Sequence, residues 1–108
     1  MESRKFSDVL SNAAHLDWRA ALYLPKNKKL WGLDCQAIIE NPDHFEAYGI
    51  DDNPVEISNI SYRYVLICDD LSSIVKSLQE QDASYDLSMA YKAFMYYIEN
   101  DSFMKLAL

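Results

Sequence analysis

The most constraining feature of the chain is a change of period at residue 68. Tyr62–Cys68 is β-branched, aromatic and aliphatic, as a strand requires. Directly after it, Leu71, Ile74, Val75 and Leu78 recur at helical spacing, with Asp69-Asp70 placed to cap and Gln81 near the end. Both carboxylates gain from the positive end of the helix dipole, which gives them a structural reason to be there. A strand that runs straight into an amphipathic helix needs a sheet with a helix lying on it.

The rest of the chain supplies the partners. Phe6, Val9, Leu10, Ala13 and Ala14 form one helical face, with Ser3 as the expected N-cap and an end near His15 or Leu16. His15 then suits the C-terminal dipole rather than a ligand role. Ala20–Leu24 stops at Pro25 and predicts a strand. The basic connection Pro25-Lys26-Asn27-Lys28-Lys29 leads to Leu30–Ile39, its expected hairpin partner, in which Trp31, Leu33 and Cys35 share a face with Ala37 and Ile39. Asn41-Pro42-Asp43 is a helix-start signal for a short turn over Asp43–Tyr48, with Gly49 as the stop. Asn53-Pro54 repeats the signal, and Glu56 sits where a capping box would place it. Val55, Ile57 and Asn59 also alternate like a strand, and the start signal favours a short helix. The last helix carries Leu87, Ala90, Tyr91, Phe94 and Ile98, with Ser84 as its expected cap. Asn100-Asp101 is an interruption before a final turn over Ser102–Leu108. The prediction is a single α+β domain over residues 1–108: a small, mostly antiparallel sheet of a hairpin and one further strand, with an N-terminal helix and two C-terminal helices packed on one face.

Leu22-Tyr23-Leu24-Pro25 with Leu30-Trp31, and Ala93-Phe94-Met95-Tyr96-Tyr97 with Asp101-Ser102-Phe103, resemble a family of small bacterial domains of unknown function. That resemblance spans most of the chain and implies a fold without supplying a catalytic residue. In size, acidity and lack of chemistry the chain is also similar to bacterial immunity proteins, which bind and neutralise toxin domains; this likeness is compositional.

Charge carries the functional expectation. Leu33–Tyr62 holds Asp34, Glu40, Asp43, Glu46, Asp51, Asp52 and Glu56 with no Lys or Arg. The first thirty residues have a balance of +3 and the remainder −10, for a net charge of −7. A field of that sign speeds encounter with cationic partners and repels phosphate and anionic lipid. The bland account is that the acids keep the protein in solution. Lys26, Lys28 and Lys29 have no aromatic residue interleaved, so no nucleic-acid contact is expected of them.

Chemistry is sparse. There is no nucleophile motif, phosphate loop or paired ligand spacing, and Asp51-Asp52-Asn53 lacks the alternation of a calcium loop. Asp43, His44 and Glu46 make a weak metal trio. No cofactor, no metal and no enzymatic activity are expected. No secretory signal or membrane span is legible, and Cys35 and Cys68 are expected to be reduced, so the chain reads as cytoplasmic.

Two functions follow. In the first, Asp43, Glu46, Tyr48, Asp51, Asp52 and Glu56 bind a basic protein, a toxin or nuclease domain, and occlude its cationic site. In the second, the chain is a structural or regulatory homodimer or larger homo-oligomer. It would assemble through Met89, Tyr96 and Phe103, spaced seven apart and nearly opposite the Leu87–Phe94–Ile98 face of a continuous helix.

Overall fold

The computed structural model describes residues 1–106. Four antiparallel strands form one sheet: β1 (Ser3–Lys5), β2 (Ala21–Pro25), β3 (Gln36–Glu40) and β4 (Tyr62–Ile67), in the order β1-β3-β2-β4. Four helices accompany it: α1 (Phe6–Ser11), α2 (Val55–Asn59), α3 (Cys68–Gln81) and α4 (Leu87–Asn100). The α+β prediction holds, with one strand more than expected.

The central strand β2 is buried at all five positions because both sheet faces are covered. Leu22 and Leu24 point to one side, where Phe6, Val9 and Leu10 of α1, Leu71, Ile74 and Leu78 of α3, and Ala90 and Phe94 of α4 close the main core. Phe6 and Phe94 meet edge to face with centroids 4.9 Å apart. Ala21 and Tyr23 point to the other side, into a smaller cluster with Ile38, Phe45 and Ile57. The stretch between β3 and β4 supplies Phe45 and Ile57, so it is a cover over the second face rather than a free loop.

Several boundaries differ from expectation, each for a local reason. Ser3 does not cap α1; it lies in β1, opposite Ile38 of β3. The first amides of α1 are satisfied from elsewhere in the chain: Phe6 N–H donates to the Cys35 carbonyl and Ser7 N–H to that of Leu33, both at 2.9 Å. The helix stops at Ser11, and Ala13–His15 continue as a 3₁₀ turn. The hairpin of β2 and β3 is present, with Leu22 opposite Ile39, but β3 begins only at Gln36. Trp31, Leu33 and Cys35 therefore alternate without being strand. Trp31 plugs the core from the connection, its indole N–H donating 2.7 Å to the Pro25 carbonyl and its ring lying under the Arg63 guanidinium at 5.0 Å.

Helix α3 starts one residue before its expected aspartates, which sit in its first turn, and Cys68 N–H is taken by the Ala20 carbonyl at 2.8 Å. Asp86, not Ser84, caps α4, accepting from Met89 N–H at 2.9 Å; Ser84 is held instead by Asp82. Asp101 ends α4 in the left-handed conformation (φ 53°). Residues 102–106 are not helical, and the remainder of the final turn expected over Ser102–Leu108 lies outside the described residues. Cys35 and Cys68 are free thiols. No helix among the described residues is long and apolar enough to cross a membrane.

Candidate functional site

The acidic cover runs from Asn41 to Ser61, and its backbone is fixed in three places. At its start, the Asn41 side chain accepts from Asp43 N–H at 2.9 Å, and Pro42–His44 make a single 3₁₀ turn. The expected start signal is real, but the turn ends at His44 and does not reach Tyr48. Phe45 then drops into the second core, its ring edge-on to Tyr23 at 5.7 Å. His44 Nδ1 meets the Glu40 carboxylate at the end of β3.

Next comes a tight excursion. Val55 N–H donates to Ala47 O at 3.0 Å, Gly49 N–H to Asn53 O at 2.9 Å and Asp52 N–H to Gly49 O at 3.0 Å. Asp51 Oδ1 accepts from Asn53 N–H at 3.1 Å, and Asp52 is left-handed at φ 61°. Gly49 is thus not a helix stop: a Cβ there would stand 2.9 Å from Asp51 Oδ1. The tip carries Ile50, fully exposed between Gly49 and two carboxylates.

The third fixture is Asn53, only 6% exposed. Its amide donates to Ser58 Oγ at 2.8 Å and to the Tyr62 carbonyl at 3.0 Å, while its oxygen accepts from Tyr64 N–H at 2.9 Å. Tyr62 and Tyr64 are two apart on β4, so these backbone groups lie on one edge, and the side-chain amide pairs with them as a neighbouring strand would. Asn53 therefore cannot serve in a capping box, and α2 begins after Pro54 with no side-chain cap. Glu56 is exposed and has no capping role. Nothing in the sequence pattern distinguishes this use of Asn53 from a helix start.

Asp43, Glu46, Tyr48, Asp51, Asp52 and Glu56 are all exposed on this one cover. None of the five carboxylates is ion-paired among the described residues. Tyr48 is tethered, its hydroxyl donating 2.7 Å to the Pro42 carbonyl. Two residues of this region were not named as site residues from the sequence: Tyr23 and Tyr64. Both sit in regular strand patterns, where aromatic residues call for no special account. Burial, ahead of the neighbouring Tyr48 and Tyr64, pushes the Tyr23 phenol well above its usual range. Among the described residues no group of three His, Cys, Asp or Glu side chains is arranged to hold a metal ion.

The second candidate surface is less continuous than the spacing implies. Met89 is half-buried against the main core, and Tyr96 is 39% exposed. Phe103 lies beyond the end of α4, its ring 5.6 Å from Tyr97, so it does not extend a stripe on that helix.

Residues 3–106 match the family model described as Domain of unknown function (DUF7716). The chain belongs to that family. The DUF7716 match spans nearly the whole sequence, as the resemblance to a family of unknown function implied, and it brings no activity, partner or site residue with it. Searches of curated proteins and of solved structures found no match to this DUF7716 chain.

Proposed function

We propose that this domain is a binding module for a basic protein, working by occlusion through the outer surface of the acidic cover. The observation that carries the reading is the set of five exposed carboxylates, none ion-paired among the described residues, held on a backbone that Asn53, Phe45 and Ile57 root in the fold. A fixed array loses little freedom on binding, which favours affinity, and its summed field steers a cationic partner. Exposed pairs contribute at most about 1 kcal/mol each, so Tyr48 and Ile50 serve as the contacts that exclude water. A toxin or nuclease domain with a cationic active site is the partner class this chemistry fits, as the likeness to immunity proteins implies.

Asp43, Glu46 and Glu56 are the positions for the test, because their side chains make no hydrogen bond or ion pair among the described residues. Asp51 and Asp52 shape the turn and are unsuited to charge reversal. The variant Asp43→Lys, Glu46→Lys, Glu56→Lys should associate with a partner captured from the native host at least about tenfold more slowly at low salt, the difference shrinking as salt rises. An unchanged association rate at low salt would remove the proposal.

A further inference from the structure

Between the cover and the sheet lies a hollow of about 270 Å³, lined by Tyr23, Pro42, Tyr48, Asp52, Pro54 and Tyr64. Its size is slightly below the usual range for small-molecule sites of about 300–1,000 Å³, which suits one side chain better than a whole ligand. Tyr64 meets Tyr23 edge to face at 6.1 Å, and the tether to Pro42 O fixes the third ring, that of Tyr48. Asp52 is the one charged residue of the lining. Tyr23 is fully buried as the inner wall, and its hydroxyl, unpaired among the described residues, is closed off from the hollow.

The lining selects among occupants. An anion would meet the Asp52 carboxylate in a protein of net charge −7. A purely apolar group would strip water from Asp52 without replacing it. An organic cation suits the rest of the lining: the exposed faces of Tyr48 and Tyr64 attract it and the Asp52 carboxylate neutralises it.

We propose that this tyrosine-walled pocket seats an arginine or lysine side chain of a basic protein. The inference rests on the binding reading above and adds where one cationic side chain of the partner is seated. The surrounding carboxylates bring the partner in, and the pocket supplies the desolvated anchor that exposed charges lack.

The test is an NMR titration that follows the ring signals of Tyr23, Tyr48 and Tyr64. The probes are N-acetyl-arginine amide, N-acetyl-lysine amide, the neutral citrulline analogue, choline and an arginine-rich peptide. The cationic amides should shift all three rings while the citrulline analogue, at equal concentration, does not. Asp52→Asn tolerates the left-handed backbone and Tyr23→Phe keeps the ring volume, so both should fold. Losing the charge partner should weaken arginine-amide binding about tenfold, whereas losing the buried hydroxyl should leave it unchanged. Equal binding of the citrulline analogue, silent rings, or an unaffected Asp52→Asn variant would overturn the proposal. Choline binding more tightly than either amide would also overturn it, by pointing to a small quaternary ammonium ligand. If the peptide binds in a salt-dependent way with silent rings, the pocket is wrong and the acidic surface stands. If the peptide does not bind at low salt, both fall.

Discussion

Asn53 offers the sharpest test of how the cover is held. Asn53→Ala removes hydrogen bonds to Ser58 Oγ, the Tyr62 carbonyl and Tyr64 N–H, at 2.8, 3.0 and 2.9 Å. Each is worth about 1 kcal/mol net, and the two backbone groups sit at a strand edge that water partly reaches, so the loss should be about 2–3 kcal/mol. With a urea m-value of about 1.5 kcal/mol/M, inside the usual range for a small domain, the unfolding midpoint should fall by roughly 1–2 M. Asn53→Asp makes the argument specific. It keeps an acceptor for Tyr64 N–H but sets a carboxylate against the Tyr62 carbonyl, so it should also destabilise at neutral pH. Once protonated, the introduced carboxyl can donate to that carbonyl. Its folded-state pKa is then raised above the ordinary value of about 4, and its stabilising contribution is present in acid and lost as pH rises through the folded pKa. The deficit of Asn53→Asp relative to the parent should therefore narrow between about pH 7 and pH 4. If both variants unfolded within about 0.5 kcal/mol of the parent, the amide would not be acting as a strand partner. A pH-independent deficit for Asn53→Asp would refute the donor geometry.

Other expectations concern buried and exposed groups elsewhere. Burial pushes the Cys68 thiol up to about 11 from 9.0, and the Tyr23 phenol also moves up, so the stability these groups lend holds below their unfolded values and is lost as pH rises. Urea midpoints should fall between about pH 9 and 11, and Cys68→Ala should flatten that fall; a flat parent profile would contradict the burial account. On α4, Tyr96→Lys should leave the fold within about 1 kcal/mol of the parent, because the residue is already 39% exposed. Sedimentation of that variant then reads assembly directly: a drop in mass would favour the homo-oligomer, and unfolding would refute the exposed placement.

The sequence declared its elements wherever one period was strong and unshared. β4 and α3 are legible because alternation gives way to helical spacing at a single point, and Gln81 ends α3 as its stripe implies. β1 is invisible because Ser3, Arg4 and Lys5 pair through backbone alone and offer no apolar alternation. Trp31, Leu33 and Cys35 imitate a strand because a core plug also needs apolar residues at intervals. Asp82, Ser84 and Asp86 all have capping chemistry, and only geometry assigns the cap to Asp86. The candidate acids were readable from charge and turn signals, which place residues at the surface. The tyrosine pocket was not, since it arises where β2, β4 and the cover converge from distant parts of the chain.

A sheet packed on both sides separates what must stay constant from what can change. Leu22 and Leu24 answer to the helices, whereas Tyr23 and Ala21 answer to a single inserted segment. Within that segment Phe45, Asn53 and Ile57 are anchors, and the positions around them face outward. Substitutions at Asp43, Glu46, Ile50 and Glu56 leave the helix side untouched. If the cover binds as proposed, a lineage built on this scaffold can drift in partner preference while its melting behaviour holds steady, and related chains should diverge first along the cover's outer rim.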